Sequence, residues 1–283
     1  MTFEKLDVRP IAGALGAEIH GLALRSIDDA QFDRIHQAFL EHKVIFFRDQ
    51  ALSPDTLKAV GRRFGDLYLH PYLTPVDGHP EVLRLVKEPS DKLNFGGSWH
   101  VDLTYLEKPV LGAVLHALEV PPYGGDTMFA DASLAYEVLS DGMKRLLDSL
   151  VAVHSARQTA YYNREKMASM NILDDAEATH RAEEQTRFEH PVVRTHPETG
   201  RKALFVNALL TIRFRDMSEA ESRPLLDFLF RHIGRPEFTC RFRWQNGSVA
   251  IWDNRCVQHF ALNDYAGHRR VMQRVVIEGD RPY

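Results

Sequence analysis

Residues 249–259 read Val-Ala-Ile-Trp-Asp-Asn-Arg-Cys-Val-Gln-His, which is an apolar run, a polar turn and then a histidine. Two similar short runs flank this stretch, at residues 238–244 and 270–278, with turn residues between them. Short apolar runs separated by turns are typical of antiparallel strands. The C-terminal third of the sequence therefore predicts an antiparallel β core.

Helix signals lie mostly outside this region. Helix starts are predicted at Ser26, Ser53, Ser140 and Ser218, each of which carries a hydroxyl that can cap the free amides of a first turn. Residues 44–47, Val-Ile-Phe-Phe, read as a buried strand. The chain lacks the regular strand–helix alternation of a doubly wound sheet, so a mainly β fold with flanking helices is predicted.

Composition limits the class of protein. The 283 residues are 44% hydrophobic and 26% charged, which is enough to form a sizeable core and excludes a disordered or fibrous chain. No linker divides the sequence, so one domain is expected over residues 1–283. The net charge is −4 and there is no polybasic run, so no nucleic-acid partner is expected.

The cellular setting follows from two further features. Apolar runs are too short for a signal peptide or a membrane span, so no membrane partner is expected. The chain has two cysteines, Cys240 and Cys256, which form no paired zinc motif. Two cysteines are too few for a fold of this length to be stabilised by disulfide bonds. These features predict a soluble, cytoplasmic protein.

One polar, charge-dense segment covers residues 155–190 and contains the pair Tyr161-Tyr162. Two interpretations are open. The segment is either a surface excursion or a lid over a cleft, because long insertions in compact domains tend to be functional or disordered.

A histidine followed two residues later by a carboxylate occurs three times, at His79, His100 and His196. Chance alone gives about two such pairs in this composition, so the spacing itself carries little information. His79 and His196 are each followed by proline, which predicts surface turns. His100 lies in Ser-Trp-His-Val-Asp-Leu-Thr-Tyr, where an extended backbone would direct His100 and Asp102 to the same side.

A metal centre needs a third ligand, and His259 is the best candidate. Alone, His259 would more often be a structural histidine. With His100 and Asp102 it completes two imidazoles and one carboxylate, the facial triad of non-haem Fe(II). Zinc hydrolases use the same ligand types, so the three residues do not by themselves select the metal.

The surroundings of the triad favour iron with a keto acid. The turn Gly-Gly-Asp-Thr at residues 124–127 ends on the hydroxyl of Thr127, and Arg269 and Arg270 follow His259 at the start of a strand. A forked guanidinium plus a hydroxyl suits a carboxylate held away from the metal. In this order the groups are typical of a chelating 2-oxo acid on iron.

These motifs together resemble those of the taurine and 2,4-D dioxygenase (TauD/TfdA) family of Fe(II)/2-oxoglutarate dioxygenases. The resemblance runs from Val8 to Tyr283. It rests on Trp99-His100-Val101-Asp102, Gly124-Gly125-Asp126-Thr127, Trp252-Asp253-Asn254-Arg255 with His259, and Arg270.

The resemblance implies a double-stranded β-helix (jelly roll) with helices outside it. It implies Fe(II) bound by His100, Asp102 and His259, and 2-oxoglutarate with its far carboxylate held by Arg270 and Thr127. O2 would be the other co-substrate. 2-Oxoglutarate would be decarboxylated to succinate and CO2, and the presence of Asp102 favours hydroxylation of the substrate over halogenation.

The resemblance also indicates a small organic anion as substrate. His70 and Arg274 match the residues that hold the sulfonate in the family's taurine enzymes, so a taurine- or alkylsulfonate-type substrate is the main expectation. The alternative is that His70 is a surface histidine and Arg274 an ion-paired strand residue. A homo-oligomer is also expected from the resemblance.

Other positions depart from the taurine pattern. Leu73, Gly96 and Leu210 stand where taurine enzymes have tyrosine, asparagine and phenylalanine, and Asn94 is a candidate to replace the missing amide. These exchanges predict a wider, less polar pocket. An alkyl sulfate or aryloxyalkanoate substrate is therefore the alternative within the family. Outside it, the alternatives are a zinc-dependent hydrolase with the same triad and a metal-free binding protein.

Overall fold

The computed structural model describes residues 6–71, 73–156 and 187–283, which are mostly strands with a few helices. The strands are β1 Asp7–Pro10, β2 Ala17–His20, β3 Val44–Phe47, β4 Pro75–Val76, β5 His79–Lys87, β6 Gly112–Glu119, β7 Thr127–Asp131, β8 Val151–Ser155, β9 Arg187–Pro191, β10 Val193–Thr195, β11 Lys202–Leu204, β12 Thr211–Phe214, β13 Thr239–Phe242, β14 Val249–Asp253, β15 Val257–Ala261 and β16 Arg270–Ile277. The helices are α1 Asp29–His42, α2 Pro54–Arg62, α3 Ala132–Glu137, α4 Asp141–Leu147 and α5 Glu219–Ile233, with short 3-10 turns at Leu24–Ser26 and Pro236–Phe238.

The largest sheet has eight strands in the order β1-β2-β3-β14-β6-β16-β5-β4. All of its pairs are antiparallel except β2 with β3. A second, three-stranded antiparallel sheet has the order β13-β7-β15. Smaller sheets are formed by β12-β8-β9 and β10-β11.

The strand β3 shows how the layers pack, because both of its faces are buried. On one face, the ring of Phe46 stacks on Phe242 of the three-stranded sheet with centroids 4.0 Å apart. On the other face, Phe47 packs in a cluster with Phe39 of α1 and Leu57 of α2. Two facing sheets with helices outside form a jelly roll, so the predicted fold is confirmed.

The predicted helix starts are confirmed at three of four serines. Ser53, Ser140 and Ser218 each accept a hydrogen bond from a first-turn amide, at the starts of α2, α4 and α5. The prediction at Ser26 was wrong by two residues. Asp28 caps α1 through a reciprocal bond with Gln31, and Ser26 lies in the preceding 3-10 turn.

The central part of the predicted lid, residues 157–186, lies outside the described residues. The two strands that flank it, β8 and β9, pair antiparallel with Ser155 opposite Arg187. Among the described helices, none is long and apolar enough to cross a bilayer. Cys240 and Cys256 are free thiols, and both are buried.

Candidate active site

His100, Asp102 and His259 converge at one place in the fold. Nε2 of His100 lies 3.7 Å from Oδ1 of Asp102, and Nε2 of His259 lies 3.6 Å from Oδ2. All three side chains are buried. These spacings exceed hydrogen-bond length, and they are short enough for one cation to contact all three groups.

Backbone pairing between remote parts of the chain brings the two histidines together. The amide of His100 donates to the carbonyl of His259 at 3.1 Å, and the amide of His259 donates back at 2.9 Å. His259 lies in the middle of β15, rather than after a turn, and Asp102 lies in a turn. The expected extended geometry therefore holds at His100 and ends before Asp102.

The protonation states of the triad suit a metal ion. Burial lowers the pKa of His100 and holds that of His259 well below its usual range, so both imidazoles are neutral at pH 7. Burial alone would raise the pKa of Asp102, but the nearby Arg274 guanidinium and the two imidazoles lower it instead. Two neutral imidazoles and one carboxylate are the donors that Fe(II) binds in such sites.

Neighbouring side chains fix the orientation of the triad. Nδ1 of His100 lies 2.7 Å from the Ser98 carbonyl, which leaves Nε2 free to face Asp102. Oδ2 of Asp102 accepts hydrogen bonds from Arg274 and, at 3.2 Å, from the Asn254 amide. The same Asn254 side chain accepts from Trp252 Nε1 at 3.0 Å. Asp102 is thus held by two donors on one oxygen.

A cavity of about 370 Å³ opens beside the two histidines. It brings together Thr127, Arg270 and Arg274, which the sequence placed in the same site. Its volume suits a co-substrate and a small organic substrate together. Asp102 does not line the cavity, but it pairs with Arg274, which does.

Arg270 and Thr127 share one wall of the cavity. The Arg270 guanidinium lies 5.7 Å from the centroid of the Trp244 ring, and Trp244 Nε1 donates to Thr127 Oγ1 at 3.0 Å. Nε of Arg270 is buried without a hydrogen-bond partner, and burial lowers the pKa of the group. A half-buried guanidinium whose buried Nε has no partner is suited to bind an anion.

His70 is not among the residues that line the cavity. It stands close enough to Arg274 for the charges to interact. Burial, and then the charge of Arg274, lower the pKa of His70 to about 3. His70 is therefore neutral at pH 7, and its side chain is half-buried.

Of the three departures from the taurine pattern, Leu73 and Gly96 line the cavity and Leu210 does not. Leu73 lines the cavity and belongs to a buried apolar cluster that includes Leu210. Gly96 has φ +82°, and a Cβ there would lie 3.2 Å from Cε1 of His100, so a larger residue would press on an imidazole of the triad. The Asn94 amide lines the cavity but donates to the Ala261 carbonyl at 2.8 Å.

One surface prediction was wrong. His196 is buried, and its Nε2 lies 2.9 Å from Oδ2 of Asp253. Its Nδ1 accepts from the amides of Glu198 and Thr199 at 3.2 and 3.1 Å, so Nε2 carries the proton. The turn folds this imidazole inward to reach a carboxylate that is remote in sequence. His79 begins β5 and is partly buried.

Asp253, His196 and Cys256 form a second group of potential ligands, but its donors are already occupied. The guanidinium of Arg255 donates to both oxygens of Asp253, at 2.8 and 2.7 Å. His196 donates to the same carboxylate, and burial raises the pKa of the Cys256 thiol well above its usual value. This group is a structural network rather than a metal site.

Three residues around the cavity were not predicted as site residues from the sequence. Trp244 orients Thr127, Asn254 orients Asp102, and Lys87 lines the cavity opposite Arg270. Asn254 was part of a quoted motif, but its contact could not be read from the sequence. Lys87 can be recognised only from its register opposite Arg270, which is known once β5 and β16 are paired.

Residues 7–276 match the family described as taurine catabolism dioxygenase TauD, TfdA family. The chain is 37% identical to an alpha-ketoglutarate-dependent sulfate ester dioxygenase of Pseudomonas putida, over 98% of this chain and 91% of that protein. It is 36% identical to an alkylsulfatase of Acinetobacter baylyi, over 98% and 86%. The crystal structure of a taurine dioxygenase from Burkholderia xenovorans superposes with a TM-score of 0.81 at 34% identity, over 98% and 90% of the two chains.

Alpha-ketoglutarate is 2-oxoglutarate, the co-substrate that the motifs indicated. The match spans nearly the whole chain and agrees with the jelly roll and with the convergence of two histidines and an aspartate. The chain therefore belongs to the TauD/TfdA family of 2-oxoglutarate-dependent dioxygenases.

Proposed function

We propose that this dioxygenase uses Fe(II), 2-oxoglutarate and O2 to hydroxylate small organic sulfur oxyanions, with alkyl sulfate esters as its preferred substrates. One observation carries the proposal. A single cavity holds the imidazoles of the triad, the Arg270–Thr127 wall and a second arginine, Arg274. Arg270 forms no ion pair with a carboxylate among the described residues. Arg274 pairs with Asp102, but its Nε has no hydrogen-bond partner. Two guanidinium groups beside one metal centre suit two different anions, a co-substrate and a substrate.

In this proposal, His100, Asp102 and His259 hold the iron. The donor set fits, because the two neutral Nε2 atoms and the carboxylate already face one another. Bound Fe(II) would supply the activation of O2 that couples decarboxylation of 2-oxoglutarate to hydroxylation of the substrate. Arg274 and Asn254 keep the Asp102 carboxylate ionised and oriented.

Arg270 and Thr127 would bind the distal carboxylate of 2-oxoglutarate. The Trp244 indole supports both residues, since it donates to Thr127 and lies beneath the Arg270 guanidinium. A fixed guanidinium and a fixed hydroxyl would direct the 2-oxo acid end toward the triad.

Arg274 and His70 would hold the sulfate group of the substrate. Arg274 supplies the positive charge. His70, which is neutral, supplies a hydrogen bond without a second charge. The leucine at position 73 places apolar surface in the cavity, which suits an alkyl chain better than the ammonium group of taurine.

The proposed reaction breaks a C–O bond. Hydroxylation of the carbon that bears the sulfate oxygen gives a hemiacetal sulfate. Loss of hydrogen sulfate from that product leaves an aldehyde. One oxygen atom of O2 enters this product, and the other enters succinate as 2-oxoglutarate loses CO2.

The test is a substrate panel with Fe(II)-loaded enzyme and 2-oxoglutarate. Alkyl sulfates, alkylsulfonates including taurine, and aryloxyalkanoates are compared by succinate released after oxygen is admitted, with sulfate or sulfite measured in parallel. We expect one succinate and one sulfate per turnover with an alkyl sulfate. Sulfate released without succinate would indicate a hydrolase and overturn the proposal.

Alkylsulfonates are the second candidate, because the same Arg274–His70 pair would hold a sulfonate equally well. Hydroxylation beside the sulfur would then release sulfite. Stoichiometric sulfite with taurine or a longer alkylsulfonate, at a higher kcat/KM than any alkyl sulfate, would move the substrate to this class.

Four further expectations belong to the proposal. We propose a single domain, supported by the family match over residues 7–276, and a homo-oligomer, to be measured by light scattering. A cytoplasmic location is supported by two free, buried cysteines. The lid over residues 155–190 can be tested by limited proteolysis, where bound substrate and 2-oxoglutarate should slow cleavage.

A further inference from the structure

A buried cation without an ionic partner lies at the end of β5. Lys87 is 6% exposed, and its Nζ has no hydrogen-bond partner. Nζ lies 4.5 Å from the centroid of the Tyr265 ring. A cation–π contact compensates only part of the cost of burying an ammonium group.

Strand register places this cation directly opposite Arg270. Lys87 and Arg270 are partners in the antiparallel pairing of β5 with β16, so their side chains project from the same face of the sheet. Both line the cavity. Within residues 6–71, 73–156 and 187–283, no carboxylate forms an ion pair with either one. Like charges directly opposite each other are unfavourable unless an anion lies between them.

Two nearby carboxylates form their ion pairs with other arginines. Asp126 pairs with Arg241, although its charge also acts on Arg270. Glu88 follows Lys87 immediately, but it pairs with Arg269, which also binds Glu119 at the rim of the sheet. The chain thus neutralises Arg269 and leaves Lys87 and Arg270 without an ion-paired carboxylate, so an added anion could bind both. Thr127 lies in the same cavity and adds a hydroxyl.

We propose that Lys87 is a further binding residue for the dicarboxylate 2-oxo acid, and that its ammonium group contacts the distal carboxylate together with Arg270. This inference rests on the proposed function, since it assumes that 2-oxoglutarate occupies this cavity. It makes Lys87 a specificity residue for a second carboxylate on the co-substrate. A 2-oxo acid without that carboxylate gains nothing from Lys87.

The experiment compares two ligands that differ only at that end. Anaerobic, Fe(II)-loaded enzyme is titrated by calorimetry with 2-oxoglutarate and with 2-oxopentanoate, which has a methyl group in place of the distal carboxylate. The variants are Lys87→Met, which keeps much of the side-chain length, and Lys87→Arg, which keeps the charge. Lys92→Met, at an exposed lysine nearby, is the matched control.

We expect Lys87→Met to raise the Kd of 2-oxoglutarate by about ten- to hundredfold, the usual effect of a lost charge-assisted hydrogen bond. Its Kd for 2-oxopentanoate should stay within about twofold or fall. Lys87→Arg should recover part of the loss, and Lys92→Met should match the wild type.

Two results would overturn the inference. If Lys87→Met weakens both 2-oxo acids equally, Lys87 supports the cavity wall only. If it changes neither Kd, the ammonium does not contact the co-substrate. Failure of the proposed function has a different signature, because the wild-type enzyme itself would then show no preference for 2-oxoglutarate over 2-oxopentanoate.

Discussion

Replacing Asn254 by alanine tests how the carboxylate ligand is held. The substitution removes the amide that donates to Oδ2 of Asp102 at 3.2 Å. It also removes the carbonyl that accepts from Trp252 Nε1 at 3.0 Å. Both partners are buried, so water cannot simply replace the lost group. The change therefore affects the metal centre and the core at once, and the two effects can be measured separately.

The magnitude of each effect follows from these contacts. Loss of a group that orients a metal ligand usually lowers metal affinity by about 10- to 100-fold. Arg274 still donates to the same oxygen of Asp102, so we expect a value near the lower end, about tenfold. The buried indole left without an acceptor should lower the free energy of unfolding by about 1–3 kcal/mol.

The assay is competition for Fe(II) against a chelator under argon, with denaturant unfolding of the metal-free protein in parallel. Asn263→Ala is the control, because the amide of Asn263 donates to the exposed Lys92 carbonyl and touches no triad residue. An unchanged Fe(II) affinity in a folded Asn254→Ala variant would refute the reasoning, since Arg274 alone would then be enough to orient Asp102.

Four other substitutions have distinct expected outcomes. His100→Ala should abolish succinate formation and lower Fe(II) affinity by more than the tenfold expected at Asn254, which chelator competition measures. Arg270→Met should raise the KM for 2-oxoglutarate by about a hundredfold or more through loss of a bidentate charged contact, with a smaller change in kcat in steady-state kinetics. Arg274→Ala should raise the KM of the alkyl sulfate while substrate-free turnover of 2-oxoglutarate persists; an equal fall in both would mean that Arg274 acts through Asp102 alone. Asp253→Asn should lower the free energy of unfolding by about 3 kcal/mol at pH 7, because it removes the anion from a buried pair with Arg255. Burial raises the pKa of Asp253, but Arg255 lowers it more, so the folded-state pKa lies below the unfolded value. The wild type therefore loses the stabilisation from this ion pair as the pH falls below about 3.9. Denaturant unfolding should show a smaller difference in unfolding free energy between the wild type and Asp253→Asn at that pH.

Strands with both faces buried were the easiest to predict from the sequence. Residues 44–47 and 249–252 are continuously apolar because each run lies between the second sheet and the outer helices, and both strands were predicted. β7 and β15 carry a mixed pattern, and their positions became clear only through pairing. Thr127, predicted at the end of a turn, is the first residue of β7.

The residues of the site also differ in how readily the sequence predicts them. The triad, Thr127 and Arg270 could be proposed from the sequence because each belongs to a short local motif of a known family, and the structure brings them together. Contacts across the fold left no local signal. His196 turns inward, and Lys87 lies opposite Arg270, because of which segments of the chain pair in the fold. The local sequence around each residue would look the same if other segments paired. Sequence patterns identify ligands better than the neighbours that orient them.

The strand order of the large sheet has a consequence for folding during synthesis. β14 lies between β3 and β6, and β16 lies between β6 and β5, yet both are encoded late in the chain. During synthesis β3, β5 and β6 leave the ribosome long before their central partners exist, so their edges stay unpaired and open to wrong pairing. Chaperone protection of the nascent chain should therefore matter most until Ile277 has emerged, when the sheet can close.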